Sequence, residues 1–68
     1  MHIIIEDIDE TYVIAETDSW LSVEDVMNGR GFGPLTLTRT DGRYDGVESM
    51  TITTQGVAIA VAYRKDQL

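Results

Sequence analysis

Along Met50–Tyr63, large apolar side chains alternate with small or hydroxyl ones. Met50, Ile52, Val57, Ile59, Val61 and Tyr63 stand against Thr51, Thr53, Ala58, Ala60 and Ala62. A period of two marks strands with one buried face. Gln55-Gly56 is the one break in this alternation. A two-residue turn there predicts an antiparallel hairpin in which Ile52 faces Ile59 and Met50 faces Val61. The large residues then form the buried face, because a slip of one residue would exchange the two faces.

The rest of the chain divides by the same criterion. Residues 3–8 and 11–17 are rich in β-branched and aromatic side chains and predict a first hairpin, turning at Asp9-Glu10, with Ile5 facing Ile14. The run Ile3-Ile4-Ile5 implies that part of this segment is covered on both faces. Val23, Val26 and Met27 recur at i, i+3, i+4 and predict one short helix over 22–28. Ser22 and Asp25 have the spacing of a capping box, Leu21 and Val26 that of a hydrophobic staple, and Gly29 supplies a stop. Trp20 is expected to anchor that corner. A glycine-rich loop (29–34) leads to an alternating strand, 35–40. Asp41-Gly42 and Asp45-Gly46 then mark a connection into the opening hairpin. The tail, 64–68, is expected to fray. The fold class is α+β: one antiparallel sheet of four to five strands with one short helix on one face, order β(β)αβββ. Val57, Ile59, Val61, Ile52, Met50, Leu35 and Leu37 are the expected core, with Val26 and Met27 from the helix.

Length and composition bound what this fold can do. The 68 residues, 43% hydrophobic and 25% charged, suit one small folded domain spanning 1–68. Such a chain buries only about 60% of its unfolded surface, so a homodimer or a larger partner is a natural complement. There is no cysteine, hence no disulfide or thiolate site, in keeping with a cytoplasmic protein. No apolar run is long enough for a membrane helix, and the N-terminus lacks the basic flank of a signal peptide. The net charge of −7 is segregated: the first 28 residues hold eight acids and no Lys or Arg, and the remainder four acids and five bases. That field repels nucleic acid and anionic membrane and attracts a basic partner.

Chemical motifs are sparse. Gly29, Gly31 and Gly33 follow a helix and precede a strand, the reverse of a phosphate-binding loop, and no Lys-Ser/Thr accompanies them. Asp7, Asp9 and Glu10 are the carboxylates best placed for a hard cation, but they lack a calcium-loop pattern, as do Asp41 and Asp45. His2, the single histidine, cannot build a zinc site alone and stands too near the terminus to serve as a base. No nucleophile has a second histidine to activate it. Arg30, Phe32, Arg39, Arg43 and Tyr44 mix basic and aromatic side chains as single-strand binders do, against the sign of the whole chain. No enzyme activity, cofactor or metal is expected.

The acidic segment is therefore the candidate site. Carboxylates two apart on a strand lie about 6.6 Å from each other on one face, so a rigid scaffold can set them in a row like a nucleic-acid backbone. Glu6, Asp7, Asp9, Glu10, Glu24 and Asp25 are the expected partner-binding acids, with Trp20 or Tyr12 as an apolar anchor. In size, acidity and order of elements the chain resembles the small phage-encoded inhibitors of the anti-CRISPR type. The resemblance involves no motif, so no residue roles carry over from it. It implies a non-enzymatic DNA mimic that occupies a basic nucleic-acid site on a host defence complex and does not itself bind DNA. The other class considered is a structural or assembly module pairing through an exposed sheet edge.

Overall fold

The computed structural model describes residues 1–40 and 43–68. Among the described residues there are five strands: β1 (Ile3–Asp7), β2 (Val13–Thr17), β3 (Thr36–Thr40), β4 (Ser49–Thr54) and β5 (Val57–Arg64). They form one open sheet in the order β2-β1-β5-β4-β3, and every neighbouring pair is antiparallel. A 3-10 turn, Trp20–Ser22, runs into the one helix, α1 (Val23–Gly29). This unit connects the two outermost strands across one face of the sheet. The α+β fold expected from the sequence, one antiparallel sheet of four to five strands with one short helix, is observed, with five strands among the described residues. The Asp41-Gly42 turn lies outside the described residues.

Both hairpins depart from their expected register in the same way. Gln55 and Gly56 have φ of 51° and 80°, as a type I′ turn requires. Thr54 then pairs with Val57 and Thr53 with Ala58, but Ile52 pairs with Ala60 and Met50 with Ala62. Ile59 is an extra residue, a β-bulge. In the first hairpin Glu6 pairs with Val13 and Ile5 with Ala15, so Ile14 is the extra residue in place of the expected partner of Ile5. Each bulge inverts the parity of the strand beyond it. The small residues Ala60 and Ala62 thus face the helix and are fully buried, whereas Val57 is 62% exposed. Met50, Leu35, Leu37, Ile59 and Val26 are only partly buried. Ile52 and Met27 are buried as expected. Val61 is buried too, but in register with Glu6 and Thr51, on the face away from the helix.

The helix-side core joins Ile3, Ile5, Ile14, Ala15, Val23, Met27, Ile52, Ala60 and Ala62. Ala60 and Ala62 of β5 share this cluster with Val23 and Met27 of the helix. The opposite face holds a smaller cluster of Ile4, Val47 and Tyr63. Ile3-Ile4-Ile5 is therefore covered on both sides, as its unbroken apolar run implies. Tyr44 closes edge-to-face on Tyr63, ring centroids 5.2 Å apart, so the β3–β4 connection covers part of this second face.

The helix ends differ from the expected signals. Ser22 is already helical and makes no capping hydrogen bond. The cap has moved to Ser19, whose hydroxyl accepts the Leu21 N–H at 3.1 Å and starts the 3-10 turn. Leu21 is 91% exposed, so no staple closes. The helix runs through Gly29 and stops at Gly31, φ 92°. The Gly31 N–H donates to Asn28 O and the Phe32 N–H to Met27 O, which together make a Schellman motif. Its usual apolar contact is supplied by Phe32 packed on the core that contains Met27.

The tail is held in place. A 3-10 turn spans Lys65–Gln67. Lys65 N–H donates to His2 O at 2.8 Å, and the Gln67 amide oxygen accepts the Glu48 N–H at 2.6 Å. Arg64 pairs with Asp66, whose carboxylate also accepts the His2 N–H. No helix among the described residues is long and apolar enough to cross a membrane.

Candidate functional site

The eight acids of the first 28 residues do not form one row. Four are engaged within the chain. Asp7 ends β1 with its side chain on the helix-side face and is 9% exposed. Its Oδ1 accepts the Thr11 N–H at 2.6 Å and the Tyr12 N–H at 3.0 Å; its Oδ2 accepts the Thr11 hydroxyl at 2.7 Å. The carboxylate thus organises the five-residue connection to β2, in which Glu10 takes φ 63°. Burial raises its pKa, but the Thr11 hydroxyl and the amides of Tyr12, Thr11 and Asp9 outweigh that and hold it below the ordinary aspartate value.

Glu6 lies on the other face, beneath the β3–β4 connection, and pairs with Arg43 Nη1. The Arg43 side chain is only 10% exposed. Its Nη2 donates to the carbonyls of Asp7 (2.7 Å) and Ile8 (2.9 Å), and its Nε lies 3.2 Å from Glu10 Oε1. One guanidinium thereby ties the β3–β4 connection to the β1–β2 turn. Glu16, on β2, pairs with His2 at 2.5 Å. Glu6 and Asp7 are therefore structural groups, and Glu10 is half committed to Arg43.

The other four acids face solvent. Asp9 stands in the β1–β2 turn; Asp18, Glu24 and Asp25 stand on the segment that enters the helix. Among the described residues none of these four takes part in an ion pair. Val13–Thr17 separates the two groups, and five strand residues span about 17 Å. The expected continuous row is thus two separate patches.

The helical patch has internal order. Leu21, Glu24 and Asp25 recur at i, i+3, i+4 and lie on the solvent face of the continuous helical segment, while Val23 and Met27 are buried beneath. Asp18 precedes them. Trp20, an expected anchor, is turned inward and packs on the core. Its indole Nε1 is buried and has no hydrogen-bond partner among the described residues. The nearby indole is still the largest influence on the Glu48 carboxyl; burial opposes it, Arg64 and Arg39 reinforce it, and the acid sits below the ordinary glutamate value. Tyr12, the other expected anchor, is 58% exposed, and its main chain is held by Asp7. Asp18 and Leu21 are not among the partner-binding residues expected from the sequence. The spacing of Leu21 to Glu24 and Asp25 carried the signal, but the staple reading turned Leu21 inward.

A shallow cleft at the ends of β3 and β4 is lined in part by Arg39, Val47, Glu48, Ser49 and Gln67. No protein-family model, curated protein or solved structure matches the chain.

Proposed function

We propose that the protein is a non-enzymatic inhibitor, encoded by a phage or mobile element and acting in the host cytoplasm. It occupies a basic nucleic-acid-binding site of a defence complex, such as a CRISPR–Cas effector, and blocks DNA binding by mimicry. The observation that carries this reading is the face formed by Asp18, Leu21, Glu24 and Asp25. Three carboxylates without ion-pair partners among the described residues surround a leucine that is 91% exposed, on a segment with no Lys or Arg. Carboxylates give long-range attraction to a basic channel, and one apolar side chain gives short-range grip. The dipole at the helix start lowers the cost of holding Glu24 and Asp25 together. Asp9 and the exposed part of Glu10 add a second, weaker contact.

The test is capture of a partner from a host extract, followed by competition. Wild-type protein should be displaced by duplex DNA, should not bind DNA itself, and should lose affinity as salt screens the exposed charges. The double reversal E24K/D25K should abolish capture while the far-ultraviolet spectrum is unchanged. A captured partner with no nucleic-acid site, or normal capture by E24K/D25K at low salt, would defeat the proposal.

A further inference from the structure

The two edges of the sheet are unlike. Edge strand β2 carries the Ile14 bulge, bears Glu16 and runs into Asp18. Bulges and charges are the devices by which an edge resists strand addition. Edge strand β3 has no bulge: its register against β4 is unbroken. Its one charged residue, Arg39, is engaged by Glu48 at 3.3 Å.

The direction of its backbone groups follows from the β4–β5 turn. In a two-residue hairpin Thr54 and Val57 form a hydrogen-bonded pair, and alternation along β4 then points Ile52, Met50 and Glu48 toward β5. The Arg64 N–H indeed donates to Glu48 O at 3.0 Å. Thr53 and Thr51 therefore serve β3, where they pair with Thr36 and Thr38. Leu37 and Arg39 are left with N–H and C=O groups directed away from the sheet.

We infer that β3 pairs antiparallel with β3 of a second copy of this chain, about a two-fold axis at Leu37. In that register Leu37 meets Leu37 of the second copy and the outward N–H and C=O groups exchange hydrogen bonds. Arg39 falls opposite Leu35, and Thr36 opposite Thr38 on the other face. Cross-strand apolar and threonine pairs are favourable, and no like charges stand directly opposite. A register that set Arg39 on Arg39 is disfavoured for that reason. Leu35 and Leu37, only partly buried in one copy, gain cover. Charge placement allows the approach despite −7 on each chain. Residues 29–40 hold two arginines and no acid, and the acidic edge β2 is four strand spacings away, about 19 Å. An isologous contact of this kind closes at two copies, giving a ten-stranded sheet with the helical acidic faces free. This inference is independent of the proposed partner, because it uses none of the acids assigned to docking.

Sedimentation equilibrium of the full chain, over a concentration series up to the millimolar range, tests it. The wild type should reach twice the monomer mass, and more readily at high salt, which screens the repulsion between copies. T38K places an exposed charge on the β3 edge and should remain monomeric at every concentration. R39P removes an outward N–H without touching the β3–β4 ladder and should do the same. E16K, on the other edge, should dimerise at least as well as the wild type. A wild type that stays monomeric throughout, a T38K that dimerises normally, or growth beyond two copies would each overturn the inference; the last would indicate head-to-tail β2–β3 pairing.

Discussion

Arg43 joins two parts of the chain that are far apart in sequence. Its guanidinium serves Glu6, Glu10 and two main-chain carbonyls while almost wholly shielded from water. Removing one member of a shielded ion pair leaves the other uncompensated, so R43A should destabilise by about 3 kcal/mol, read as a shift in the denaturation midpoint. By the same reasoning, reversing Glu6 and Asp7 together should unfold the protein rather than report on partner binding. Asp7 also sets an acid limit. Its folded pKa lies below the ordinary 3.8, so the stability it gives is present above that value and is lost as pH falls through the folded pKa. The stability difference between wild type and D7N should therefore shrink below about pH 4. Tyr63 sets an alkaline limit of opposite sign. Burial, then the nearby Glu6 charge and Tyr44, push its phenol from 10.0 up to about 12. The neutral form is favoured in the fold, so this contribution is intact below pH 10 and lost between pH 10 and 12. Y63F should show a flatter stability profile over that window in alkaline denaturation.

The elements were legible in the sequence wherever a local signal specified them. Alternation located the last hairpin, Gln55-Gly56 its turn, and Val23, Val26 and Met27 the helix. What alternation could not reveal was a single extra residue. Ile14 and Ile59 are ordinary strand formers, and nothing local marks them as bulges. The Ile59 bulge turns Ala60 and Ala62 to the helix side and Val61 and Tyr63 to the other face, where they too are buried. I52A should therefore cost about 2–5 kcal/mol, whereas V57A, at an exposed site, should stay within about 0.5 kcal/mol. Equal effects in thermal melts would contradict the burial of Ile52 and the exposure of Val57. The helix stop makes a similar pair. Gly31 has φ 92° and open space around it, so G31A should cost about 1–2 kcal/mol from backbone strain alone. Gly29 is helical, with open space where a methyl group would stand, so G29A should stabilise by about 0.5–1 kcal/mol. The sequence pointed to Gly29 as the stop; the Phe32 contact with the core moves it to Gly31.

At the scale of the whole molecule, charge is divided by use. The segregation of acids into the first 28 residues was visible in the sequence, but their division was not, because it depends on Arg43 reaching back across the sheet and on Asp7 turning inward. Of the six acids expected to bind a partner, Glu6 and Asp7 hold the fold together, Glu10 is shared, and Asp9, Glu24 and Asp25 remain for solvent. Asp18 and Leu21 complete the helical face. The central claim is that this face, rather than the β1–β2 turn, meets a basic nucleic-acid site. The most direct measurement compares two folded variants, E24K/D25K and D9K, in competition with duplex DNA for the captured partner. E24K/D25K should no longer displace DNA, and D9K should be weakened only slightly. Normal displacement by E24K/D25K, or its loss in D9K alone, would contradict it.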